Sequence, residues 1–141
     1  LVVNKHLRRS CHEYFTKITY ISYFENDKNQ FYTWTQAKES ENGVIQLGYP
    51  AYEERFMAFV KDVSESGLLS KHYLDILKKR ISKDAKLKDF IDIADEELLY
   101  AIFTYYIRQE RFCDGLWAKA IKEKVFLKIL LRLQMLQGKG T

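Results

Sequence analysis

The run LLYAIFTYYI at residues 98–107 has no polar face at helical spacing. A helix of that kind must be surrounded by protein, because any side turned to water would expose large apolar side chains. It is therefore expected to be the central helix of the molecule. Asp95 stands where an N-cap belongs, and Glu96 and Glu97 fall in the first turn, where the helix dipole favours anions. Arg108 and Arg111 arrive at the other end, where cations complement unpaired carbonyls.

The flanking segments supply helices to pack around it. Tyr52, Phe56, Phe59, Val60 and Val63 fall on one apolar stripe, with Pro50 placed for a first turn and Gly67 for a C-terminal stop. Ser70 is the expected cap of the next helix, with Leu69 and Leu74 as a hydrophobic staple and Tyr73, Leu74, Leu77 and Ile81 as its buried face. KKRISKDAKLKD follows as a basic, poorly periodic connector. Residues 12–25 mix a helical face of Tyr14, Ile18 and Ile21 with β-branched content; helix is the reading adopted.

Only residues 26–50 resist a helical reading. FYTWT is aromatic and Thr-rich, VIQL alternates, and Asn42-Gly43 supplies a turn between them, which together suggest a small imperfect hairpin or a structured loop. Phe31, Tyr32 and Trp34 would cap the helical core or, alternatively, form a binding wall.

The tail carries a geometric contradiction. In a single straight helix over 116–133, Leu116, Trp117, Ala120 and Ile121 would point in the direction of Lys124. Yet Lys124, Lys128 and Arg132 form the polar stripe of the last segment, whose apolar face is Phe126, Ile129, Leu130, Leu133 and Leu136. One rod cannot bury both faces against one core, so the chain is expected to bend near residues 123–125.

The 141 residues suffice for one domain with an unstapled core, and 47% hydrophobic with 30% charged residues fits a soluble globular chain. The fold expected is mainly α: a single-domain helical bundle of five or six helices with a small β-hairpin-like insertion, residues 1–11 being a loose N-terminal segment. A net charge of +4 does not by itself point to nucleic acid. No apolar run is long enough to span a bilayer, and the N-terminal residues lack the apolar core of a secretion signal. Two unpaired-looking cysteines, Cys11 and Cys113, agree with a reducing compartment, so the expected location is cytoplasmic. His6, Cys11 and His12 have no recognised metal spacing, and no phosphate loop, nucleophile elbow or paired-histidine metal helix is present in the sequence. No metal and no cofactor are expected.

One stretch concentrates the remaining chemistry: YYIRQERFCDGLWAKAI at 105–121. Asp114 is placed to cap a short helix anchored by Trp117, and Arg108, Glu110 and Arg111 stand at the facing helix end, a plausible charged brace for a tight corner. The same residues, with Tyr105, also make a candidate binding corner, since two arginines beside a helix start suit a phosphate or carboxylate. A catalytic use of Glu110, Cys113 or Asp114 is a third reading, without a histidine nearby in sequence. A separate candidate basic surface comprises Lys78, Lys79 and Arg80 together with Lys124, Lys128 and Arg132.

ISYFE at 21–25, FYTW at 31–34, GYPAYEERFMAFV at 48–60 and above all RQERFCDGLW at 108–117, followed by a Leu-rich end, resemble a family of small bacterial proteins that is known only as a domain of unknown function. The resemblance spans about residues 15–136, and it departs from the family at Lys124, where a glycine would be expected in the turn. It implies a bacterial, cytoplasmic accessory protein and brings neither substrate nor catalytic residue. The function expected is a protein-interaction or ligand-binding module rather than an enzyme. A nucleic-acid-binding accessory protein is the alternative, and a small enzyme using residues 108–117 comes third. A protein partner or an anionic ligand is favoured, nucleic acid and a homodimer stay open, and no membrane partner is expected.

Overall fold

A computed structural model describes residues 20–139; the expectations for residues 1–19, including His6, Cys11 and His12, lie outside them. Along the chain run α1 (Tyr20–Glu25), β1 (Tyr32–Thr35), β2 (Lys38–Glu39), β3 (Ile45–Gln46), β4 (Tyr49–Tyr52), α2 (Glu54–Glu65), α3 (Tyr73–Arg80), a 3-10 segment Leu87–Ile93, α4 (Glu96–Arg108), a 3-10 turn Gln109–Phe112, α5 (Leu116–Lys122) and α6 (Val125–Lys139). The architecture is mainly helical with one hairpin excursion, as the residue pattern implies.

α4 is the core helix. Nine of its residues between Leu98 and Ile107 are buried, Tyr105 alone being half-exposed. Phe59 of α2 stacks on Phe103 at 6.1 Å, and Phe126 of α6 meets Tyr106 at 6.3 Å. Phe126 is also within ring-contact distance of Phe24, Phe56 and Phe59 at 5.6–5.7 Å, so it joins four elements. Each such phenyl ring contributes about 1.5–3 kcal/mol by leaving water. Asp95 caps α4 as expected, accepting from the Leu98 amide at 3.0 Å.

Thr104 is the one fully buried polar residue among those described. Its Oγ1 donates to the Tyr100 carbonyl at 2.6 Å and accepts from the Ser70 amide at 2.8 Å. Through this bond the loop that follows Gly67 crosses over α4. Ser70 is thus not the cap of α3, which begins at Tyr73 without a side-chain cap. Leu74, expected to be buried, is 56% exposed, because the shorter helix turns Leu77 and Tyr73 inward instead.

The hairpin also differs from expectation. FYTWT does not pair across Asn42-Gly43 with VIQL: β1 pairs with YPAY, placing Tyr32 opposite Tyr52 and Trp34 opposite Pro50. The β2–β3 pair, Lys38 with Gln46 and Glu39 with Ile45, continues the same register toward the turn at Gly43, whose φ is 77°. Pro50 therefore lies in a strand and not in the first turn of α2. A two-stranded sheet leaves each strand with a free edge, where a missing N–H costs no ladder bond. Phe31 caps the core against Phe24 and Tyr23, while Trp34 remains half-exposed.

The connector after α3 is more ordered than its charge suggests, with Ile91 fully buried and Leu87 and Phe90 packed against the core. The tail bends where expected. The Lys124 amide bonds back only to Ile121, and Lys124 takes a left-handed φ of 61° between α5 and α6. Phe126, Ile129, Leu130 and Leu133 are then free to reach the core and are fully buried.

Candidate functional site

The corner between α4 and α5 is built around Glu110, not around Asp114. The 3-10 turn Gln109–Phe112 carries the Glu110 carboxylate under the start of α5. Its Oε2 accepts from the Gly115 amide at 2.9 Å, and its Oε1 accepts from the Trp117 amide at 2.7 Å. Tyr52, at the end of β4, donates its hydroxyl to the same Oε1 at 3.0 Å and accepts from the Ala118 amide at 3.1 Å. The amides of Gly115, Trp117 and Ala118 are thus satisfied by two side chains from outside the helix, and that of Leu116 by the Cys113 carbonyl. Gly115, at φ 94°, is the N-cap residue and offers no side chain of its own. Burial, and next the bond to Glu110, hold the Tyr52 phenol above its ordinary range.

Trp117 anchors the corner from within. Its indole N–H donates to the Tyr106 carbonyl at 2.6 Å, and its ring meets Tyr52 at 5.2 Å and Phe56 at 5.6 Å. On the hairpin side, the Trp34 indole lies over Gly115, where an added Cβ would stand 3.4 Å from its ring. Gly48 makes the same approach from β4's side: a Cβ there would come within 2.6 Å of the Thr35 carbonyl.

Because Glu110 is occupied by the backbone, the arginines have a different role from the expected brace. Arg108 and Arg111 are both exposed, and among the described residues neither forms an ion pair. Arg111 lies over the Phe112 ring at 4.6 Å, with Phe112 itself 69% exposed. Arg108, Arg111, Glu110 and Ser64 are the polar residues lining a cleft of about 420 Å³, whose apolar residues are Leu69, Ile107 and Trp117. Asp114 and Tyr105 do not line it; Asp114 is exposed, and Tyr105 packs edge-on against Tyr106.

A second cleft of about 680 Å³ lies on the other side of the loop crossing, between residues 67–72 and the first turns of α4, with Glu96, Glu97 and Tyr100 on the helix side. Leu69 belongs to both clefts. Tyr52, Ser64, Leu69 and Ile107 are site residues that sequence reasoning did not single out. Tyr52 falls in helical phase with Phe56 but belongs to β4, where it pairs with Tyr32.

The candidate basic surface is partly committed to the fold. Arg80 bonds Asp95 at 2.7 Å and Glu97 at 3.3 Å, and this guanidinium is the main cause that lowers the Asp95 pKa. Arg132 donates Nε–H to the Ala94 carbonyl at 2.9 Å, and Lys124 stands 3.9 Å from Asp27. Lys78, Lys79 and Lys128 are exposed. Lys88 pairs with Glu123 beside the bend, and this partner is the largest influence holding the Glu123 carboxyl low. Cys113 is exposed. No group of three or more His, Cys, Asp or Glu side chains suited to a metal occurs among the described residues, and no helix there is long and apolar enough to cross a membrane.

No curated protein and no solved structure matches the chain. A family model does match, over residues 16–139, which include the hairpin, the core helix and the Glu110 corner. The chain is therefore a member of DUF6508, a family of unknown function.

Proposed function

We propose that the protein is a bacterial, cytoplasmic binding module whose site is the cleft beside the 109–112 turn, and that this cleft takes an anionic group, a carboxylate or a phosphate. The observation that carries the reading is the division of labour at the corner. Glu110 is spent on the backbone of α5, whereas Arg108 and Arg111 line a cleft with no acid paired to them among the described residues. Guanidinium groups present planar pairs of donors that match both oxyanions. Apolar walls from Leu69, Ile107 and Trp117 would hold the body of the ligand.

Titration of the full chain with benzoate and phenyl phosphate, followed by calorimetry, tests the reading. Binding is expected, and Arg108→Ala with Arg111→Ala should reduce it at least about tenfold while leaving the melting temperature nearly unchanged. Absence of any binding, or binding indifferent to both arginines, would remove the proposal. Nucleic-acid binding has weaker support, since Arg80 and Arg132 are already engaged within the fold.

A further inference from the structure

The two clefts share one helix and carry opposite charge. Glu96 and Glu97 line the cleft at the start of α4, and Arg108 and Arg111 line the one at its end. Tyr100 and Ile107 continue the same strip of helix surface between them, interrupted where Ser70 is bonded to the buried Thr104. Leu69 lines both clefts and is the apolar residue they share at this crossing. Glu97 is already paired with Arg80, and Lys71 on the loop partly offsets the acidic end, which leaves Glu96 as its unpaired acid among the described residues. From Glu96 to Arg108 the helix rises about 18 Å at 1.5 Å per residue.

We infer that the two clefts form a single bipolar groove for an extended peptide segment of a partner protein. The segment carries an acidic side chain at the arginine end, a basic side chain at the Glu96 end and an apolar residue over Leu69. An extended chain advances about 3.3 Å per residue, so the two charges stand five or six residues apart. This inference rests on the anion-binding cleft proposed above. Complementary charge at both ends fixes the direction and register of the segment, which a single anion cleft cannot do.

Four blocked peptides test the groove by fluorescence anisotropy on the full chain. One carries aspartate and lysine five residues apart with leucine between; two carry only one of the charges; the fourth holds both charges two residues apart. The widely spaced bipolar peptide is expected to bind at least about tenfold more tightly than the other three, with the gain shrinking as salt is added. Arg108→Ala and Glu96→Gln should each abolish that gain, and Lys71→Ser should increase it. Both altered positions at the helix ends are exposed, and unchanged melting would verify folding. If the acid-only peptide binds through Arg108 as tightly as the bipolar one, the groove is refuted and the anion cleft stands. If none of the peptides binds while phenyl phosphate does, the groove is likewise refuted. If neither peptide nor phenyl phosphate binds, both readings fall together.

Discussion

Replacing Glu110 by glutamine keeps the shape of the side chain but turns an NH₂ group toward an amide donor of α5 or toward the Tyr52 hydroxyl. Charged hydrogen bonds to backbone amides are worth about 1.5–3 kcal/mol each, so Glu110→Gln should destabilise the fold by about 2–3 kcal/mol in urea denaturation. Arg108→Ala and Asp114→Ala should stay within about 0.5 kcal/mol of the parent, since neither side chain closes the corner. Equal losses in all three variants would contradict the assignment of the brace to Glu110. The corner as a whole was legible from its residue types, but the identity of its pin was not. Capping rules look at the residue just before a helix, which is why Asp114 was the natural choice. A carboxylate arriving from Glu110 depends on the 3-10 turn between them, and nothing in the spacing announces that turn. Tyr52 is hidden for a related reason: its helical phase with Phe56 fits α2 and so masks its strand pairing with Tyr32.

At the scale of elements, the bend between α5 and α6 was readable because two apolar faces of one segment pointed in different directions. What imposes the bend is backbone conformation at Lys124, a non-glycine residue at φ 61°. The left-handed region costs an L-residue about 1–2 kcal/mol, which glycine avoids, although glycine loses part of that gain through the freedom of the unfolded chain. The Lys124 ion pair with Asp27 is exposed and long, so it offsets little. Lys124→Gly is therefore expected to stabilise the protein by about 0.5–1 kcal/mol, raising its melting temperature. Lys124→Val should lower it, since a branched Cβ is least compatible with that conformation. A glycine variant that melts below the parent would show that the lysine side chain, and not the backbone, governs the turn. The hairpin is half-legible: Asn42-Gly43 marks its turn, but the strand Tyr49–Tyr52 is masked, because a proline preceding a helical stripe imitates a helix start.

The whole molecule is built around an aromatic core, and its tyrosines make its stability sensitive to alkali. Burial pushes Tyr106 up to about 12, with the Glu123 charge adding to the effect, and Tyr52 is raised as well. The unfolded chain gives up these protons near pH 10, whereas the folded chain retains them to higher pH. Their contribution is intact below about pH 10 and falls as pH rises through the folded values, because over that interval the folded state binds more protons. The stability measured by denaturation should accordingly fall between about pH 10 and about pH 12, by no more than about 1.4 kcal/mol per pH unit for each tyrosine. Tyr52, being half-exposed, should contribute less than that ceiling. Tyr106→Phe should flatten the decline; an unaltered profile would place the alkaline sensitivity elsewhere.

The pairing of Tyr52 with the start of α5 has a kinetic consequence. The Ala118 amide is satisfied by a hydroxyl that enters from 66 positions earlier in the chain, and the Glu110 oxygen beside it is shared with the same hydroxyl. Isolated helical turns form in well under a microsecond, but a first turn capped in this way is complete only after a long loop has closed. Residues 116–118, although helical, are therefore expected to gain amide protection no earlier than the hairpin does, which pulse-labelling hydrogen exchange during refolding would check.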